Sequence, residues 1–160
     1  MTERYRVPKF RVRVDLHTVE GTTEQVALFL SERAQEHAGP EGPLDVLNAD
    51  DEFIVVEFES GEVGLVRRGS VAMVTVSGET SPQDALSCSD PVLADLFVEA
   101  KLKLVLGNGD EIEGVAHYER PEQNRRVQDF MNGPEPFVPL THDGRISFVN
   151  KSCIARVLLP

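Results

Sequence analysis

One short phrase occurs twice in this chain of 160 residues. Residues 45–53 read DVLNADDEF and residues 129–137 read DFMNGPEPF. Both fit the pattern Asp, any residue, large apolar residue, Asn, four residues, Phe. A phrase repeated at this distance indicates an internal duplication, in which two stretches of the chain share one fold. This constrains the fold more than any other feature of the sequence.

Longer segments repeat in the same order. GEVGLVRRGSVAMV, from Gly61, aligns with GRISFVNKSCIARV, from Gly144, at an offset of 83 residues (144 minus 61). The repeated phrase aligns at an offset of 84 (129 minus 45), so one single-residue gap reconciles the two blocks. Between them lies a stretch rich in Ser, Pro, Gly and Asp, which is typical of a linker. We therefore predict a first repeat at 1–77, a linker at 78–92 and a second repeat at 93–160.

Each repeat has the pattern of five short strands. The predicted strands are 10–18, 24–32, 53–58, 62–67 and 70–76 in the first repeat, and 98–107, 111–118, 137–141, 145–150 and 153–159 in the second. A short turn of helix holds each Asp-x-x-Asn phrase, and PVLADLF, residues 91–97, predicts another. Five strands in a meander suit a small, strongly bent barrel. The predicted fold is mainly β, with two tandem five-stranded SH3-like barrels and short helices.

The segment at 24–32 has two interpretations. Thr22 and Gln25 fit a helix capping box, and the apolar residues that follow also fit a helical rise. The aligned segment DEIEGVAHYER follows a GNGD turn and contains Gly114, which is typical of a strand. Since aligned segments share one fold, we predict a strand.

The second repeat resembles a known family. KLKLVLGNGDEIEGVAHY, residues 101–118, is similar to the first Sm motif, and DFMN, residues 129–132, resembles the Asp-x-Met-Asn phrase of that family. FVNKSCIARVLLP, residues 148–160, resembles the second Sm motif and the closing strand. The resemblance covers about 98–160 and, less closely, 10–76. It implies an Sm-like, SH3-like barrel in each repeat.

In Sm and LSm proteins the Asp-x-Met-Asn loop and an Arg-Gly pair hold an RNA base. The residues that the resemblance carries over as ligand or RNA candidates are Asp45, Asn48, Arg67, Asp129, Phe130 and Asn132. Asn150 and Lys151 replace the Arg-Gly pair in the second repeat, and Gly69 falls one place late in the first. The alternative is a structural role, in which Asp and Asn cap turns. Four apolar side chains would then plug the barrels: Leu47, Phe53, Met131 and Phe137.

The charge of the chain disfavours RNA as a partner. Acidic residues number 27 against 16 basic ones, for a net charge of −11. Nucleic-acid binders obtain most of their affinity from clustered Lys and Arg. Here basic residues cluster only at Arg4, Arg6, Lys9, Arg11 and Arg13, whose alternation predicts one solvated face of a strand rather than an anion-binding arm.

No motif predicts catalysis, a metal site or a cofactor. His17, His37, His117 and His142 fit no metal-binding spacing, and no GxSxG, P-loop or GxGxxG motif occurs. No apolar run is long enough to span a membrane, and the N-terminus lacks the apolar region of a signal peptide. We therefore predict a cytoplasmic protein without membrane partners, whose Cys88 and Cys153 are reduced thiols.

We predict a non-catalytic interaction or assembly module. Small barrels expose edge strands that pair with a protein partner or with another copy of the chain, and FIVVEF (53–58) and ISFVNK (146–151) are candidates for such edges. Two fused barrels would imitate a dimer and bury one face between them about a pseudo-two-fold axis. The alternatives are an Sm-like RNA-binding protein, and a small-molecule sensor or enzyme with a site between the barrels.

Overall fold

The structure, a computed structural model, describes residues 9–31, 42–76, 97–119 and 126–160. These ranges contain ten strands: β1 (Lys9–Thr18), β2 (Thr23–Ser31), β3 (Phe53–Phe58), β4 (Val63–Arg67), β5 (Val71–Val76), β6 (Phe97–Leu106), β7 (Glu111–Glu119), β8 (Phe137–His142), β9 (Arg145–Asn150) and β10 (Ile154–Leu158). Two short helices, α1 (Pro43–Leu47) and α2 (Val127–Met131), hold the Asp-x-x-Asn phrases. The predicted linker lies outside the described residues. So does the predicted helix at 91–97, except for Phe97, which begins β6.

All ten strands form one antiparallel sheet in the order β10-β6-β7-β8-β9-β5-β1-β2-β3-β4. The prediction of a mainly β fold with short helices is confirmed. The pairing of the described strands closes neither half into a barrel, because β4 and β10 lie at the two ends of the sheet. Within the described ranges no helix has the length and apolar character that crossing a membrane requires.

The two halves of the sheet have the same strand order. The N-terminal half-sheet is β5-β1-β2-β3-β4 and the C-terminal half-sheet is β10-β6-β7-β8-β9, so in each the last strand of the half returns beside the first. The strand predicted at 24–32 is confirmed as β2, and the helical alternative is wrong. Its buried residues, Val26, Leu28 and Leu30, alternate along the strand, as expected when one face of a sheet packs on a core.

The half-sheets meet at a junction between unlike strands, which we call the seam. Strand β5 pairs with β9 through Met73–Val149, Val74–Phe148 and Thr75–Ser147. The fifth strand of one half therefore meets the fourth strand of the other. The predicted pseudo-two-fold face is wrong, since such symmetry would also pair the equivalent strands β4 and β10, which lie at opposite ends of the sheet.

The two segments predicted as free edges are interior strands. FIVVEF is β3, which lies between β2 and β4, and the residues of ISFVNK within β9 lie between β8 and β5. The open edges are instead β4 and β10, the strands that follow β3 and β9 in the chain.

The seam is also the place where the largest core cluster crosses from one half to the other. Phe137, Ile146 and Phe148 of the C-terminal half are 1%, 2% and 0% exposed, and they pack among the core residues of β1, β2, β3 and β5. Full burial of a side chain of this size contributes roughly 1.5–3 kcal/mol. The core of the N-terminal half is therefore completed by side chains of its neighbour.

A glycine allows close packing of β7 on β8. A Cβ at Gly114 would lie 2.6 Å from the carbonyl oxygen of Thr141 and 2.9 Å from Cγ of Leu140. Only a residue without a side chain fits at this distance, which is why a strand carries glycine here.

Candidate functional site

The two aspartates of the repeated phrase cap their helices. Asp45 accepts a hydrogen bond from the backbone N–H of Gly42 at 2.7 Å, and Asp129 accepts one from Arg126 at 3.1 Å. Each carboxylate occupies the third helical position and reaches back to the residue before the helix, as in one half of a capping box. This geometry is the one expected from the capping interpretation of the phrase. A ligand role for either aspartate stays a prediction.

The two asparagines of the phrase have different surroundings. Asn48 and Asn132 both end their helices, with backbone N–H groups bonded to Leu44 and Gln128. The side-chain oxygen of Asn48 accepts a hydrogen bond from the backbone N–H of Phe137, across the junction of the halves, at 2.9 Å. Asn132 is exposed, and no hydrogen bond joins its side chain to a described residue. Among the described residues, therefore, the corner at Asn48 has a side-chain partner and the matching corner at Asn132 has none.

The predicted base-stacking residue is part of the core. Phe130 is 8% exposed, packs against Val138, and has Nζ of Lys151 5.4 Å from its ring centroid. The same Nζ donates to the carbonyls of Phe130 and Gly133, at 3.2 and 3.1 Å, and burial lowers the pKa of Lys151. In its present position the Phe130 ring offers no surface on which a base could stack.

Arg67 lies at the end of β4 and is exposed. Its guanidinium lies 5.3 Å from the ring centroid of Phe53 and 3.4 Å from a carboxylate oxygen of Glu52. Phe53 itself is 44% exposed, so the prediction that it plugs a barrel is wrong. Phe137, which aligns with Phe53, is only 1% exposed, and so is Leu47. Of the four side chains predicted to plug the barrels, Leu47 and Phe137 are therefore core residues, Met131 is partly buried against the core, and Phe53 is exposed.

A chain of hydrogen bonds runs through the seam. Thr75 Oγ1 lies 2.8 Å from Ser147 Oγ, which lies 2.7 Å from His142 Nε2. On the other side, His17 Nε2 lies 3.4 Å from Thr75 Oγ1. Burial lowers the pKa of His17; Asp15 opposes this shift and His142 adds to it. Only the Thr75–Ser147 contact joins the two halves; His17–Thr75 and His142–Ser147 each lie within one half.

The sequence contained a signal for this polar chain. Thr75 and Ser147 align with Leu158 and Gly64, so the hydroxyls occur only at the aligned positions that meet in the seam. Comparison of the repeats position by position would have found them, whereas a search for metal or catalytic motifs assigns them no role.

Ser147, His142 and Asp143 do not form a catalytic site. The serine is within hydrogen-bond distance of the histidine, and a carboxylate oxygen of Asp143 lies 3.9 Å from His142 Nδ1. Ser147 is 0% exposed and is shared with Thr75, so no substrate reaches its hydroxyl. A nucleophile must touch the atom that it attacks, and this one is enclosed by the sheet.

The exposed apolar side chains concentrate at the two ends of the sheet. Among the described residues the large apolar side chains that are exposed are Phe53, Val55, Val63 and Leu65 on the β3–β4 hairpin, Leu158 and Leu159 at β10, and Val19 in the β1–β2 turn. Val55 and Leu65 are directly opposite in the β3–β4 register. Six of the seven therefore flank β4 or β10, the strands with an unpaired side.

The same positions are buried where the half-sheets meet. Val63 and Leu65, 63% and 64% exposed, align with Ile146 and Phe148, which lie in the N-terminal core. Thr75, which is 4% exposed in the seam, aligns with Leu158, which is 46% exposed. The exposed ends thus carry the counterparts of the side chains that the seam buries.

The described residues also include a cavity and a cysteine with a shifted pKa. A cavity of about 590 Å³ beside β10 is lined by Lys101, Lys103, Glu113 and the C-terminal residues 158–160, among others. Within the described ranges no three His, Cys, Asp or Glu side chains are placed to hold a metal ion. Burial raises the pKa of the Cys153 thiol, and Cys88 lies outside the described residues. No protein-family model, curated protein or solved structure matches this chain.

Proposed function

We propose that this chain is a non-catalytic interaction module that binds a strand of a protein partner, or of another copy, at the open edges β4 and β10. One observation carries the proposal: six of the seven exposed large apolar side chains flank these two strands. An open edge presents unpaired N–H and C=O groups, which bind an added strand through main-chain hydrogen bonds. Apolar side chains beside the edge would then bury surface against the incoming strand.

We also propose that each half of the chain is a small Sm-like barrel produced by duplication. Support comes from the equal strand order of the halves and from the capped helix that precedes the third strand of each. The strong bend that a barrel requires is compatible with the close approach of β7 and β8 at Gly114.

The alternatives have less support. An Sm-like RNA site would use Phe130 in the second half and Asn48 in the first. The ring of Phe130 is in the core, and the side-chain oxygen of Asn48 accepts a hydrogen bond from the backbone N–H of Phe137. An enzyme or small-molecule sensor would need an accessible polar site between the halves. At the seam the hydroxyls of Thr75 and Ser147 are hydrogen-bonded to each other and buried. A cavity of about 340 Å³ also lies between the halves, lined by His17, Asn108 and Asp110 among others, and within the described ranges no three His, Cys, Asp or Glu side chains are placed to hold a metal ion.

The proposal is tested by blocking both edges. The variant Leu65→Lys/Leu158→Lys places a charge on each open edge, where a charged side chain opposes strand addition. The matched control is Val19→Lys, since Val19 is 47% exposed in a turn away from both edges. Wild type and control should self-associate, or retain the same protein from a cell extract in a pull-down, and the double variant should lose this association.

Two results would contradict the proposal. One is a double variant that keeps the mass and the retained proteins of the wild type. The other is a wild-type protein that is monomeric by light scattering and retains nothing. Unfolding in urea checks that the variants are folded, because substitutions of exposed residues change stability by less than about 0.5 kcal/mol.

A further inference from the structure

We infer that the seam is a pH-sensitive junction: His17 and His142 together accept one proton while it stays closed, and a second proton opens the pairing of β5 with β9. The inference concerns the joint between the two halves of the chain. It does not depend on what binds at the open edges.

Two buried hydroxyl groups form the polar contact of the seam, and each is within hydrogen-bond distance of one histidine. Thr75 and Ser147 are 4% and 0% exposed, and their oxygens lie 2.8 Å apart. His17 Nε2 lies 3.4 Å from Thr75 Oγ1, and His142 Nε2 lies 2.7 Å from Ser147 Oγ. No further hydrogen bond joins either hydroxyl to a described residue. The four groups therefore form a closed set of three contacts.

Three contacts need three protons, one for each. The two hydroxyls supply two of these protons, so one Nε2 atom must supply the third and the other Nε2 atom must accept. Two neutral imidazoles meet this requirement, because a neutral ring carries its proton on either nitrogen. One imidazolium also meets it, because the neutral ring on the other side still accepts at Nε2.

A second imidazolium does not fit the set. Both Nε2 atoms then carry protons, which makes four protons for three contacts. One buried O–H group is left without an acceptor, and a buried donor in this state has lost its hydration without compensation. The two positive charges also repel each other. Separation of β5 from β9 relieves both effects, because water then reaches the hydroxyls and the rings.

The charged groups around His17 do not compensate for its burial. Burial has the largest effect on the pKa of His17 and lowers it; Asp15, on the same strand, raises it, and His142 lowers it further. Asp110 and Glu111, from the β6–β7 hairpin, line the cavity of about 340 Å³ together with His17. Both of these carboxylates have partners of their own.

The charges around His142 are mixed. A carboxylate oxygen of Asp143 lies 3.9 Å from the outer nitrogen, Nδ1, but the side chain of Asp143 is 97% exposed, so solvent screens its attraction. Arg145 lies directly opposite His142 in the β8–β9 register. The other charged side chains that share a cavity with His142 are Lys101, Lys103 and Glu113. Positive groups are therefore present on this side of the seam as well.

The seam is short enough to open locally. Strand β5 pairs with β9 over three residue pairs, whereas β1 pairs with β2 over nine. Thr75 and Ser147 form one of the three pairs, so the loss of their contact acts directly on the joint. Local opening of a short pairing requires less free energy than unfolding of the whole chain.

Hydrogen exchange of the backbone amides, corrected for the intrinsic pH dependence of exchange, tests the inference. Between pH 7.5 and pH 5.0 the paired amides of β5 and β9 should lose at least tenfold in protection. Those of the β1–β2 and β6–β7 hairpins should keep theirs. His17→Gln and His142→Gln should each abolish most of the loss, because one histidine alone cannot bring the fourth proton. In His142→Gln the pKa of His17, followed by NMR, should also rise, since His142 lowers it in the wild type.

Variants of the hydroxyls separate the counted protons from other acid effects. Thr75→Ser keeps the O–H group and should keep the acid response. Thr75→Val/Ser147→Ala removes both hydroxyls and should lose most of it. Replacing both partners of a hydrogen bond by apolar groups is nearly neutral for stability, and protection of the hairpins at pH 7.5 shows that each variant is folded.

Three results would overturn the inference. The first is equal protection of β5 and β9 at the two pH values in the wild type. The second is a loss of protection that is spread evenly over the hairpins, which indicates global unfolding. The third is an acid response of the seam that persists unchanged in both single histidine variants or in the variant without hydroxyls, because other groups would then cause it.

Discussion

Asn48 and Asn132 end matching helices, yet among the described residues only Asn48 has a partner for its side chain. The side chain of Asn48 holds the first residue of β8 through the N–H of Phe137. Asn132 is exposed at the corresponding corner. The free energy of unfolding that is lost when such an asparagine is replaced therefore depends on whether the neighbouring half supplies a donor for its side chain.

Replacement of these asparagines should have unequal effects. Asn48→Ala leaves a part-buried N–H without its acceptor, which costs about 1–3 kcal/mol of unfolding free energy. Asn132→Ala should change it by less than about 0.5 kcal/mol, since an exposed side chain is removed. Urea unfolding at a low protein concentration, at which copies are separate, measures both. Equal losses in the two variants would contradict the role given to Asn48.

His17 should make the seam sensitive to acid. Its pKa is lowered in the folded state, mainly by burial, with Asp15 acting in the opposite direction and His142 in the same one. The unfolded chain binds the proton more tightly, so the contribution of His17 to stability is present above the ordinary pKa of about 6.5 and is lost as the pH falls through the folded-state value.

Unfolding in urea at pH 7.5 and pH 5.5 measures this effect. The wild type should be less stable at pH 5.5, and His17→Gln should show a smaller difference between the two pH values. An identical difference in the wild type and the variant would assign the acid sensitivity to other groups.

At the scale of elements, the sequence predicts where the strands lie but not which strands are neighbours in the sheet. Alternating apolar residues and glycine turns locate β2 and β7 to within one or two residues, because these signals are local. Which strand borders which depends on the pairing of β5 with β9, residues that lie more than 70 positions apart. For this reason FIVVEF and ISFVNK were wrongly predicted as edges although both are strands.

The candidate site was predictable to a similar extent. Helix capping by Asp45 and Asp129 follows from their position three residues after the start of a turn, which is a local property. The burial of Phe130 and the exposure of Phe53 do not follow from local sequence, since Phe130 is buried by Val138 of its own half and Phe53 lies beside the open edge β4. The contrasts of Thr75 with Leu158 and of Ser147 with Gly64 are sequence features that separate the joined strands from the open ones.

At the scale of the whole molecule, a sheet with two unlike open ends has two fates when it binds itself. Head-to-tail joints close into a ring if the rotation per copy closes, and otherwise they continue as a filament. In both assemblies the edge strands within the assembly are paired, and unpaired edge strands are the sites at which sheets aggregate. The mass of the wild type at rising concentration distinguishes them, because a ring reaches a constant mass and a filament does not.

The charge of the chain predicts how salt acts on this assembly. Each copy carries a net charge of −11, so copies repel one another, whereas the contacts proposed at β4 and β10 are mainly apolar. Raising NaCl from 0.1 to 1 M shortens the Debye length from about 10 to about 3 Å and screens the repulsion. The association measured by sedimentation should therefore strengthen several-fold. Protein–RNA affinity changes in the opposite direction, because salt competes for the phosphates. Self-association that weakens with salt would show that ion pairs hold the copies together, and binding of single-stranded RNA that is lost with salt would favour the Sm-like alternative.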